Sequence, residues 1–124
     1  MSKAKISDVR QGVTLYYVHA FPHKGMPSYI EPIVVTERPK KKGSATFSVC
    51  NQYFNDELGS GVFTRPWSLS DAGIIPNTYN FHSTFTSRKA AKRYAERMDR
   101  VCLTTAERVK FDKKVLNDLM FNDF

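Results

Sequence analysis

Cysteine, histidine and tryptophan are scarce in this chain, with 2 Cys, 3 His and 1 Trp among 124 residues, and each scarcity removes a class of chemistry. Cys50 and Cys102 stand far apart on separate predicted elements with no CxxC spacing, so neither a zinc ribbon nor a thiol redox pair is indicated. Both are expected to be buried and reduced. His19 and His23 are close in sequence, but Pro22 between them breaks the helix that would aim both at one metal, and His82 is the remaining imidazole. No metal site is expected. Two histidines and a lysine can cleave RNA by acid–base catalysis, yet no spacing here demands it. The GxSxG, GxxxxGKS/T and GxGxxG signatures do not occur, nor does a recognisable carboxylate pair, so neither an enzyme nor a bound cofactor is expected.

Long apolar runs are missing too. No stretch approaches the roughly 18 residues that cross a bilayer, and the opening MSKAKISDVRQG has no apolar core of the signal-peptide kind. A cytoplasmic protein without a membrane partner is the expectation, with residues 1–12 as a flexible N-terminus.

Aromatic and basic residues are, by contrast, plentiful. Apolar types make up 41% of the chain and aromatics 13%, enough for a real core at this length. One domain over residues 1–124 is the default. The net charge of +7 is uneven: residues 87–124 carry ten Lys or Arg against six Asp or Glu, RPKKK adds four at 38–42, and residues 50–86 hold Arg65 against three acids. Basic ends around a weakly acidic middle favour polyanions or acidic protein surfaces as partners.

Period-two alternation marks the strands. VTLYYVHA (13–20) reads as a strand covered on both faces, YIEPIVVTE (29–37) as a second in which Pro32 suits an edge or a bulge, and ATFSVCNQYF (45–54) as a third. These three make an antiparallel meander. VFTRPW reads as a short strand ended by Pro66, and NFHSTFT (80–86) as the last strand. Two helices close the chain. From Ser87 to Val101, Tyr94, Ala91, Ala95, Met98, Val101 and Cys102 share one arc. In the second helix Thr104 is the N-cap with Glu107 reaching back to it, and Val109, Phe111, Val115, Leu116, Leu119 and Met120 spread over a wider arc. That width predicts that the second helix is the more deeply buried. The fold class is α+β: an antiparallel sheet of four or five strands with two C-terminal helices packed on it.

TSRKAAKRYAERMDR (86–100) raises the main functional question. Lys89, Arg93, Arg97 and Arg100 line the side opposite the apolar arc, while Arg88 and Lys89 occupy the first turn, where the helix dipole disfavours cations by about 0.3–1 kcal/mol each. An anion held beyond the Ser87 cap reverses that penalty. The plain alternative is a solvated face on a basic protein. Lys40, Lys41 and Lys42 carry the same ambiguity, since they can neutralise phosphates or merely discourage edge-to-edge strand pairing. The candidate surface for nucleic acid or another anion is thus Ser87, Arg88, Lys89, Arg93, Arg97 and Arg100, helped by Lys40, Lys41 and Lys42.

Residues 55–80 lose their periodicity, and long irregular loops in compact domains usually bind something or are disordered. They hold the single Trp, in TRPWS. Trp and Arg are frequent binding anchors, which makes Arg65 and Trp67 the protein-binding candidates. The alternative is that Trp67 plugs the open end of the sheet.

STFTSRKAAKRYAERM (83–98) resembles a strand-to-helix element, F-S/T-S followed by alanines and a tyrosine, that recurs in small accessory proteins encoded by bacteriophages. The resemblance implies an interaction protein that redirects or blocks host machinery by occupying a surface. With no enzyme signature in the chain, the expectation is a non-enzymatic protein of the host cytoplasm that binds a host protein or nucleoprotein complex and inhibits or modifies it. The alternative, from the charge pattern, is direct binding of DNA or RNA with little sequence preference.

Overall fold

The computed structural model describes residues 3–40, 45–55 and 59–121. They form five strands, β1 (Thr14–Phe21), β2 (Met26–Glu37), β3 (Thr46–Asn55), β4 (Gly59–Ser68) and β5 (Ser83–Phe85), followed by α1 (Arg88–Asp99) and α2 (Thr105–Phe121). All neighbours pair antiparallel in the order β4-β3-β2-β1-β5, which is the expected meander with the last strand added beside β1. The architecture is the α+β sheet and helix pair that the periodicities predict.

Alternation along β1 divides the core into two layers. Leu15 and Tyr17 point to one face, where Ile33, Val35, Phe47 and Val49 join them under a cover of Leu69, Ala72 and Ile74. Val18 and Ala20 point to the other, with Phe81 and Phe85, beneath Ala91, Ala95 and Met98 of α1. Burying each Val, Leu, Ile, Phe or Met side chain contributes about 1.5–3 kcal/mol. The alanines of α1 add little burial but let the helix lie close to the strands.

Long-range pairing alters several local expectations. β4 runs through Pro66 rather than ending there, because it is the edge strand and the proline, opposite Ser48, needs no donor on its outer side. The irregular middle therefore shrinks to residues 69–82. Pro32 lies opposite Tyr16 in an interior strand, but β2 pairs with β3 only from Val34 to Glu37, so the missing N–H interrupts no ladder. The first residues are held rather than loose from Lys3 onward: Lys3 bridges Phe85, the Ala4 N–H donates to the Thr84 carbonyl at 2.9 Å, and Val9 is buried. Cys50 is half-buried and Cys102 exposed, so the expected burial of both thiols does not hold.

The largest correction concerns α2. Buried residues occur on α1, at Ala91, Ala95 and Met98, whereas no described residue of α2 is buried. Its wide apolar arc was the wrong guide, because the side turned to the body is set by polar contacts described below.

Gly73 fixes the cover over the first face. Its φ of +71° is left-handed, and a Cβ there would lie 2.3 Å from the His82 carbonyl oxygen, whereas Gly25, at a similar φ of +65°, has nothing within 4 Å of the same position. Both glycines to alanine lose about 1–2 kcal/mol to the backbone conformation, and Gly73→Ala loses roughly 1–3 kcal/mol more to overpacking. Urea unfolding of the two variants checks this, and equal losses would contradict it.

Candidate functional site

The basic helix α1 begins as predicted, with the Ser87 hydroxyl accepting from the Ala90 N–H at 3.2 Å. Beyond that cap its cations divide into two groups. Arg88 lies over the Tyr16 ring at 5.2 Å, and Lys89, Arg93 and Arg100 are exposed. Among the described residues, none of Arg88, Lys89, Arg93 and Arg100 has a carboxylate within ion-pair reach.

Arg97 is different. Its guanidinium donates to both oxygens of Glu107, at 2.6 and 3.1 Å, and to the Cys102 carbonyl at 2.9 Å. Glu107 closes the predicted capping box at the same time: it accepts from the Thr104 N–H at 2.9 Å while its own N–H donates to the Thr104 hydroxyl at 3.2 Å. Burial pushes the Glu107 carboxyl up, but the bonds from Arg97 and Thr104 outweigh it and hold the group below the usual carboxylate range. The hydrogen bond to Glu107, ahead of the opposing effect of burial, raises Arg97 in turn. Arg97 is thus an internal clamp between the helices.

That clamp sets the rotation of α2. With Glu107 inward, Lys110 and Lys114 follow on the same side, and the Lys110 ammonium donates to the Asn80 carbonyl at 2.9 Å while lying over the Phe81 ring. Val109, Leu116 and Met120 fall within about 40° of one another on the opposite side, and Leu119 lies about 60° from Leu116 at 100° per residue. These four are 52, 56, 54 and 61% exposed respectively. Only Phe111 and Val115 of the predicted apolar arc turn partly inward.

Arg93 and Arg97 line a cleft with Lys3 and Lys110, whereas Arg88, Lys89 and Arg100 lie outside its walls. Lys40 lines a separate groove with Arg10 and Arg38, so the two basic surfaces share no residue. Lys41 and Lys42 fall outside the described residues. Trp67 is half-buried against the first core layer, edge-on to Tyr17 at 5.2 Å, and Arg65 covers its ring at 5.0 Å.

One cluster escaped the reading of the sequence. His19 bonds Glu31 at 2.9 Å, Arg65 approaches the same carboxylate at 3.7 Å, and Tyr29 stacks on the His19 ring at 4.1 Å. The His82 ring stands 5.6 Å from that of His19. Only strand register brings these groups together, since Tyr17 opposes Glu31 on β2 while His82 arrives with the segment before β5. The His82 Nδ1 accepts from the Ala20 N–H at 3.0 Å, which leaves its proton on Nε2. Among the described residues no group of three or more His, Cys, Asp or Glu is placed to share a metal.

A family model described as Phage g100-like protein matches residues 3–98. The chain belongs to that family. The matched segment holds the sheet and nearly all of α1, so α2 lies outside the part this phage family model describes. No curated protein and no solved structure matches the chain. No described helix is long and apolar enough to cross a membrane.

Burial holds all three histidines below their ordinary value, His82 down to about 4. Its folded pKa is thus below the unfolded value near 6.5, so between those two values the unfolded chain takes up the proton first and stability is lost as pH falls. His82→Asn keeps an acceptor for Ala20 but does not titrate. Urea unfolding at about pH 7 and about pH 5 should show a smaller loss in that variant than in the wild type. Equal losses would remove His82 from this role.

Proposed function

We propose that this phage-family protein is a non-enzymatic binding protein that docks the outward apolar face of α2 into a hydrophobic groove of a host protein, alone or within a nucleoprotein complex, and so inhibits or modifies it. The observation that carries this reading is the inverted helix. Val109, Leu116, Leu119 and Met120 stand more than half exposed while Glu107 and Lys110 of α2 face its own domain. Leu116, Leu119 and Met120 form one exposed apolar patch, with Val109 on the same side beyond Lys113. Such a patch is uncommon on a protein that acts alone, and anchors spaced i, i+7, i+10 and i+11 suit the helix-in-groove mode of recognition. Arg65, 44% exposed over the half-buried Trp67, offers a second contact of the type common in binding hot spots.

A second reading, direct nucleic-acid binding, is supported by Arg88, Lys89, Arg93 and Arg100, on or just beyond α1, which have no carboxylate partner among the described residues. Neutralising phosphates makes such binding fall steeply with salt. Apolar docking is far less sensitive.

Affinity capture from nuclease-treated host lysate separates the two. Replacing Leu116 and Leu119 together by Ser should abolish capture at moderate salt with thermal stability nearly unchanged, while replacing Arg88 and Arg93 by Glu should leave it intact. The reverse pattern, with salt-sensitive binding to added DNA or RNA, would favour the second reading. A wild-type homodimer that the Leu116/Leu119 variant abolishes would make the face a self-interface and sink the host-docking proposal.

A further inference from the structure

The cleft between α1, the start of α2 and the segment leading into β5 has a volume of about 430 Å³, within the ~300–1,000 Å³ common for small-molecule sites. Its charges do not balance. Glu107 is the acid on its wall and is already held by Arg97. Lys3 and Arg93 have no carboxylate partner among the described residues, and Lys110 has one hydrogen bond, to the Asn80 carbonyl. Burial lowers the pKa of Lys110, and the nearby Lys3 and Lys114 charges push the same way although Glu107 opposes them.

A second observation comes from the cleft wall. Ser83 is 3% exposed, yet its hydroxyl has no hydrogen-bond partner among the described residues. Buried hydroxyls are normally paired, since desolvating one without a partner is unfavourable. Ser83 opposes Val18 across the β1–β5 ladder and so shares the sheet face that α1 covers. It lines the same cleft as the three unbalanced cations.

We propose that this cleft binds a terminal phosphate monoester, with Lys3, Arg93 and Lys110 neutralising the phosphoryl group and the Ser83 hydroxyl donating to one of its oxygens. A carboxylate fits less well, because it brings one charge and two oxygens, whereas the monoester brings nearly two charges and three free oxygens. Arg93 supplies a fork that grips two oxygens, and the lysines act as point charges. Phe85, Ala90 and Pro76 offer an apolar wall to the organic part. The site lies away from the outward face of α2, so it stands or falls independently of host docking.

Calorimetry with inorganic phosphate, adenosine and adenosine 5′-monophosphate tests the proposal. The monophosphate should bind at least roughly tenfold tighter than adenosine and be displaced by inorganic phosphate. Ser83→Ala should weaken it about tenfold while the unliganded protein melts at the same or a higher temperature, because the substitution deletes an unpaired buried hydroxyl. Arg93→Ala should weaken it by about tenfold or more. Competition by an oligonucleotide carrying a 5′-phosphate, but not by the same strand lacking it, would identify strand ends as one source of the same group. Absence of binding by phosphate and the monophosphate, indifference to Ser83→Ala and Arg93→Ala, or equal competition by internal phosphodiesters would each overturn it.

Discussion

The fork from Arg97 to Glu107 decides what the outside of this protein offers. A guanidinium holding both oxygens of a carboxylate is among the stronger polar contacts available to side chains, and here the same carboxylate also caps its own helix at Thr104. Once Glu107 is fixed inward, helical geometry dictates the rest of α2. Lys110 turns to the Asn80 carbonyl, and Leu116 and Met120 turn to solvent. The connection between the helices is shaped for this arrangement: Val101 takes a left-handed φ of 54°, and the Cys102 N–H returns to the Arg97 carbonyl at 2.9 Å, closing α1 in the manner usually left to glycine. A β-branched residue in that conformation stores strain that the surrounding contacts must offset.

Two surfaces follow from one clamp. Holding α2 beside α1 creates a cleft whose walls carry Lys3, Arg93 and Lys110, and it leaves an apolar stripe on the far side of the same helix. Arg97 looks like part of a basic stripe but is consumed in building the structure that presents the others. The sheet and α1 are the part the chain shares with its phage family, whereas the apolar stripe lies beyond it.

The sequence made the sheet legible because each strand is half-buried and alternation reports that directly: Leu15 and Tyr17 face one layer, Val18 and Ala20 the other. The Ser87 cap and the Thr104–Glu107 box were legible for a similar reason, being local contacts between residues three apart. Partners distant in sequence were not. Nothing local says that Glu107 meets Arg97, that Glu31 meets His19, or that Ser83 lines one cleft with Arg93 and Lys110. For α2 the composition misled, since apolar periodicity reveals which side is apolar without revealing which side the domain covers. The rotation was settled by two polar residues that sequence patterns treat as surface.

Side-chain labelling by brief hydroxyl-radical exposure, read residue by residue in dilute protein, tests that rotation directly. The neighbouring aliphatics Val115 and Leu116 are the decisive pair. Leu116, with Leu119 and Met120, should label strongly while Val115 and Phe111 are protected. Protection of Leu116 and Met120 with strong labelling of Val115 would mean that α2 turns its apolar stripe into the body, which contradicts both the outward stripe and the clamp that sets it.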